Sequence, residues 1–221
     1  EILVVFRPER NSVLETSRYV EILVGGSEAN VMAGLARLGH KTGFITKVPD
    51  NPLGRLAIAR YQSAGVDVSR VIWSQSGRMG LAFAELASPP RKNRFIYDRT
   101  FSEASKLSLS DIDFGYVKQT KILHLSGITP ALSESCAQMV EELVSFAQEN
   151  HITVSWDINY RSKLWSFEEA SKTLNKIMKN GVDIVFVSRS ELQNLLGVDV
   201  NDYTRAYRIF KSSYGITVLV I

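Results

Sequence analysis

Four short stretches of the chain collect residue types that could grip a small, oxygen-rich, negatively charged molecule. The first is Gly25-Gly26-Ser27-Glu28-Ala29-Asn30, running into a small-residue stretch that ends Leu35-Ala36-Arg37-Leu38-Gly39. Paired glycines reach backbone geometries closed to other residues and let a ligand approach the main chain. Ser27 then suits an N-cap, and a helix N-terminus favours anionic or hydroxyl-rich ligands. Asn30, one turn further in, could present its amide to a sugar hydroxyl. The same spelling equally fits a glycine turn before a capped helix, with Asn30 on a solvated face. The second stretch, Arg94-Phe95-Ile96-Tyr97-Asp98-Arg99, sets Tyr97 and Arg99 on one side of an extended segment by the two-residue period of a strand. A phenol beside a guanidinium suits a polyol carrying a carboxylate, which arginine can pair bidentately; a surface strand with solvated charges reads the same way. The third, Asp157-Ile158-Asn159-Tyr160-Arg161, follows an apolar run, and open α/β sheets bind ligands at the C-terminal ends of their strands. Arg161 could face a ligand there or pair with Asp157. The fourth, Ser188-Arg189-Ser190-Glu191, places a carboxylate in a first helical turn, where it is favourable against the helix dipole by itself.

These residues need elements to position them. From about residue 119 the pattern alternates: an apolar run at 121–126 precedes a helical stretch at 133–148, and a run at 152–158 precedes one at 167–179. A third run at 183–188 leads into helical stretches at 190–196 and 203–213 and a closing strand at 216–221. Strands alternating with helices of this length predict βαβ units and a mostly parallel sheet with helices on both faces. The first hundred residues are richer in strands. Helices are expected at 28–38 and 52–64, and strands at 71–74, 80–87 and 94–97, the last two joined by a hairpin loop at 88–93. One α/β domain over 1–221, with a small β-sheet lid from segments near 1–24 and 71–101, is the economical reading. Both ends read as strands buried on both faces, so the sequence is expected to be part of a longer protein.

Bulk properties narrow the classes. With 26 basic and 23 acidic residues the formal net charge is only +3, and the charges are dispersed, which supports no nucleic-acid partner. The single cysteine, Cys136, excludes an internal disulfide and a cysteine zinc site; it falls at helical spacing with Met139, Val140, Leu143, Val144 and Ala147, the pattern of a buried face. No stretch approaches the roughly 20 apolar residues that span a bilayer, so no membrane partner is expected and the default location is cytoplasmic. His40, His124 and His151 are too scattered for a metal triad, and no direct metal ligand is assigned.

The Gly-Gly-x-x-x-Asn motif leading to Leu-Ala-Arg-Leu-Gly resembles the N-terminal signature of the ribokinase (phosphofructokinase-B) family. Pro49-Asp50-Asn51-Pro52-Leu53-Gly54-Arg55 and Gly65-Val66-Asp67-Val68 resemble its next landmarks, in order. The lid stretch through Ser102-Glu103-Ala104-Ser105, the segment His124–Leu132 and the Asp-x-Asn-x-Arg…Leu-Trp spelling at 157–165 are similar to the 2-keto-3-deoxygluconate kinases within it. The resemblance implies a ribokinase-like α/β fold and ATP-dependent phosphorylation of 2-keto-3-deoxygluconate, with Mg2+ and a lid that closes to exclude water. It implies that Gly25, Gly26, Asn30, Tyr97, Arg99 and Arg161 bind the sugar acid. Ser188 and Glu191 would serve ATP and magnesium, where the family carries Asn-x-x-Glu. Two positions depart from the pattern: Asp98 stands where a second tyrosine is usual, and Ser188 where asparagine is. The family's catalytic aspartate lies in a Gly-Ala-Gly-Asp motif, absent here, and no Walker-type loop replaces it; the base is expected beyond Ile221. A homodimer through the open edges of the lid is also expected. Alternatives are a fructokinase or ribokinase, whose neutral sugars would leave Arg99 and Arg161 no carboxylate, or a non-catalytic sugar-acid-binding module.

Overall fold

A computed structural model describes residues 1–196 and 202–221, with the side chains of residues 195 and 196 outside the description. It divides into two compact units, Glu1–Leu107 and Ser108–Ile221.

In the first unit, β1 (Leu3–Arg7), β2 (Glu21–Gly25) and α1 (Ser27–Arg37) are followed by β3 (Thr46–Pro49), α2 (Pro52–Gln62), β4 (Val71–Ser74), β5 (Gly80–Glu85) and β6 (Arg94–Asp98). Of the segments expected to form a lid, β1, β2, β5 and β6 share one four-stranded sheet in the order β2-β1-β5-β6, whereas β4, also expected there, lies outside it. β1 runs antiparallel to β2 and parallel to β5, and the β5–β6 hairpin pairs Ala82 with Tyr97. A separate parallel pair, β3 with β4, matches Thr46 to Val71. Neither β2 nor β3 is named in the sequence as a strand of its own, although the segment holding β2 is assigned to the lid; both are placed by pairing with β1 and β4. The core gathers Ile2, Val4, Ala29, Phe44, Val48, Ile58, Tyr61 and Met79. α2 opens on Asn51, whose side chain accepts from the Leu53 and Gly54 amides, with Pro52 as first residue, a position where its missing N–H costs nothing.

The second unit contains α3 (Phe114–Val117), β7 (Ile122–Ser126), α4 (Glu134–Glu149), β8 (Thr153–Asp157), α5 (Phe167–Lys179), β9 (Ile184–Phe186), α6 (Arg189–Leu196), α7 (Tyr203–Tyr214) and β10 (Val218–Val220). Its four strands are all parallel, in the order β10-β9-β8-β7. α4 buries Cys136, Met139, Val140, Leu143, Val144 and Ala147, the residues that the 3.6-residue period selects. Each large aliphatic side chain so buried contributes about 1.5–3 kcal/mol. α5 starts with a capping box between Ser166 and Glu169 and carries Lys176 and Lys179 in its last turn, so both ends complement the dipole.

One expectation needs correction. Gly26, not Ser27, is the N-cap of α1; its backbone is extended and no side chain caps the helix there.

Candidate functional site

In the first unit, Gly25 ends β2 opposite Leu3, and Gly26 follows. A Cβ on Gly26 would sit 2.4 Å from the carbonyl oxygen of Glu1, so the glycine is required by the close approach of β1's entry. A Cβ on Gly25 would make ordinary contact with Val5 at 3.5 Å. The doublet that reads as one motif therefore has one sterically obligatory member. Asn30 lies exposed one turn into α1, where its amide N–H donates to Gly26 O at 2.9 Å and its side-chain oxygen accepts from the Tyr61 hydroxyl at 3.0 Å.

Tyr97 and Arg99 do lie on one side, as the strand period requires: the guanidinium carbon sits 4.9 Å from the centre of the Tyr97 ring. Arg99 is buried, however, and its Nη1 donates to Glu1 Oε2 at 2.9 Å. The Glu1 carboxyl is pushed up by burial, against which the Arg99 guanidinium pulls it down. A Cβ on Gly80 would meet Glu1 Oε1 at 3.3 Å and Arg99 Cβ at 3.4 Å, so Gly26, Glu1, Gly80, Arg99 and Tyr97 form one neighbourhood. Asp98, which replaces the second tyrosine of the resemblance, turns to pair with Arg78 at 2.5 Å. Sequence reasoning missed Glu1 and Tyr61, which carry no local motif.

In the second unit the exits of β8 and β9 meet. After β8, Asn159 adopts a left-handed backbone (φ 43) and its amide donates to Asp157 Oδ2 at 2.9 Å; asparagine tolerates this conformation better than most residues. Asp157 and Asn159 thus shape the turn. Arg161 is exposed, with Nη1 donating to Tyr160 O at 3.1 Å. After β9, Ser188 and Glu191 form a reciprocal cap of α6: Glu191 Oε2 accepts from Ser188 N at 2.8 Å and Oγ at 2.6 Å, and Ser188 Oγ accepts from Glu191 N at 3.3 Å. The other carboxylate oxygen accepts from Tyr160 N at 2.6 Å, so Glu191 ties the β8 exit to the start of α6. Arg161, Ser188 and Glu191, named separately from sequence, line one open cleft of about 490 Å³ with Tyr160, Phe167, Ser190 and Asn194.

A carboxylate offers about four lone-pair positions, and protein donors take three at Glu191. It therefore fits a role toward magnesium through intervening water better than direct ligation. Among the described residues no three His, Cys, Asp or Glu side chains come together as a metal cluster, and no helix is long and apolar enough to cross a membrane.

Comparison with known proteins gives this geometry a context. Residues 3–221 match the pfkB family of carbohydrate kinases. The chain is 31% identical over 199 residues to a 2-dehydro-3-deoxygalactonokinase of Haloferax volcanii, covering 90% of the chain and 62% of that protein. It is 33% identical over 212 residues to a 5-dehydro-2-deoxygluconokinase of Clostridium perfringens, covering 94% and 62%. The crystal structure of a 2-dehydro-3-deoxygluconokinase of Thermotoga maritima superposes with a TM-score of 0.92 at 30% identity, over 99% of the chain and 69% of that structure. The fold is thus the ribokinase-like α/β fold of these neighbours. The chain spans about 62% of the length of the curated relatives it matches.

Proposed function

The chain belongs to the pfkB family of carbohydrate kinases, and from that premise we propose that the protein phosphorylates 2-keto-3-deoxygluconate on its terminal hydroxyl, with ATP as donor and magnesium as cofactor. The observation that carries the sugar-acid reading is Arg161: an exposed guanidinium held by the Tyr160 carbonyl at the mouth of a cleft lined by hydroxyls and an amide. A carboxylate can take its remaining N–H donors bidentately. Gly25, Gly26, Asn30, Tyr97 and Arg99 are proposed to contact the same class of substrate. Arg99 is already paired to Glu1 and stacked on the Tyr97 ring, so holding that ring in place would be part of its contribution.

In the transfer, the substrate hydroxyl oxygen forms the bond to the γ-phosphorus as the bridging bond to the β-phosphate breaks, and the hydroxyl proton passes to a carboxylate base. Magnesium would neutralise charge developing on the phosphates. Glu191, at the N-terminus of α6, would act from the outer coordination sphere, with Ser188 holding its carboxylate in place. No residue of the 221 is assigned as the base.

The relatives differ in the sugar acid their names carry, so substrate choice is the point to test. Kinetics of the full-length protein with 2-keto-3-deoxygluconate, its galactonate epimer, 5-dehydro-2-deoxygluconate, fructose and ribose should give the highest kcat/KM for a keto-deoxy acid. A preference for fructose or ribose would defeat the sugar-acid reading in favour of a neutral-sugar kinase. Binding of the acid without turnover of ATP would favour a non-catalytic module.

A further inference from the structure

The phenol of Tyr61 belongs to the core that gathers around α2. The residue shares that core with Ile2, Val4, Phe44, Ile58 and Met79, is only 3% exposed, and has its ring centroid 6.5 Å from that of Phe44. Its backbone carbonyl is also engaged, accepting from Ala64 N at 3.0 Å and Val66 N at 3.2 Å as α2 ends. Only the oxygen tip escapes this apolar shell, and it reaches across 31 residues of sequence to the side chain of Asn30.

The direction of that bond has a consequence. The phenol donates to Asn30 Oδ1 at 3.0 Å, so the amide is fixed with its oxygen toward the core and its NH2 away from Tyr61. Asn30 is exposed, and its two N–H donors are then the face available to a ligand. Asparagine is a poor helix former and loses rotamer freedom when held; an anchored amide presents its donors without that cost falling on binding. Burial also pushes the Tyr61 phenol up to about 12, with neighbouring Arg60 lowering it and Glu28 raising it further, so it remains a donor throughout the physiological range.

We propose that Tyr61 is a positioning residue for substrate recognition: it orients the Asn30 amide so that its N–H groups donate to an oxygen of the sugar acid. This rests on the reading of Asn30 as a substrate contact, and a double-mutant cycle on the full-length protein separates the two. With 2-keto-3-deoxygluconate as substrate, Tyr61→Phe should raise its KM roughly 3- to 10-fold, the worth of one net hydrogen bond, leaving the KM for ATP unchanged. In an Asn30→Ala background the same Tyr61→Phe change should move the sugar-acid KM by less than about 1.5-fold, because its effect travels through Asn30. Equal effects of Tyr61→Phe in both backgrounds would make the tyrosine merely structural and overturn the proposal. If Asn30→Ala leaves every sugar-acid KM unchanged, the substrate-contact reading falls and the proposal with it. If Asn30→Ala acts but Tyr61→Phe does not, only the positioning role fails. Should Tyr61→Phe fold poorly, Asn30→Asp keeps an acceptor for the phenol but replaces the outward donors with a second acceptor. It should raise the sugar-acid KM more than Asn30→Ala does, and an unchanged KM would overturn the proposed orientation.

Discussion

Glu191 shows how much one side chain can hold. Its two oxygens accept from Tyr160 N, Ser188 N and Ser188 Oγ, so the loop bearing Arg161 and the first turn of α6 share one anchor. Glu191→Gln removes the charge and leaves one acceptor oxygen for three donors. The loss of charge-assisted bonds, about 1–2 kcal/mol, should raise the sugar-acid KM roughly 5- to 30-fold. If the carboxylate served magnesium alone, only the magnesium dependence of the rate would move; measuring the two dependences separately decides this. Ser188, Glu191 and Arg161 stand out in sequence through short local spellings, a carboxylate in a first helical turn and an arginine just after an apolar run, while their proposed roles come from the family resemblance. Tyr61 and Glu1 do not stand out, since their partners Asn30 and Arg99 lie 31 and 98 residues away and nothing local marks a buried phenol or a strand-leading glutamate as polar anchors. The same distance hides the burial of Arg99, which the period alone would leave at a solvated surface.

The elements whose bounds the sequence marks best are helices long enough to show a period and a cap. α4 and α5 have both, and their bounds fall within a residue or so of the pattern. β2 and β3 have neither, and their placement depends on pairing with β1 and β4. Where two strands end against each other, side-chain volume becomes decisive. Gly127 follows β7 and donates to Asp157 O at 2.9 Å, and a Cβ there would lie 2.2 Å from Ile158 O and 3.1 Å from Leu174 Cδ2. A backbone carbonyl cannot step aside as a flexible side chain can. Gly127→Ala should therefore destabilise by about 1–3 kcal/mol as the β7 and β8 exits are forced apart. At roughly 2–4 °C per kcal/mol for a protein of this size, thermal unfolding should show a Tm lowered by several degrees; an unchanged Tm would mean that the strand ends are looser than they stand.

At the scale of the whole chain, a buried and a half-buried tyrosine tie stability to alkaline pH. Burial raises the phenol of Tyr61 to about 12 and raises that of Tyr214 as well. A phenol that holds its proton more tightly when folded contributes stability that is fully present below its unfolded value near 10 and is lost as pH rises through the folded value. For Tyr61 the window is therefore about pH 10 to 12, across which a contribution of roughly 2–3 kcal/mol is lost. Lysines titrate in the same range, so the comparison that isolates the effect is Tyr61→Phe. Its unfolding free energy should fall less steeply over this window than that of the unchanged protein, and parallel curves would deny the linkage. Fold class, by contrast, is set by alternation over the whole second unit and needs no single residue.

The contact between Gly26 and Glu1 also has a genetic consequence. Any change in the first two bases of a glycine codon installs a side chain or a stop. At position 26 every such side chain would collide with a main-chain oxygen 2.4 Å away, whereas at position 25 the added carbon meets only Val5 at 3.5 Å. The two halves of the Gly-Gly doublet thus face different mutational landscapes: the first has viable neighbours one base away, and the second has none that leave the backbone where it is.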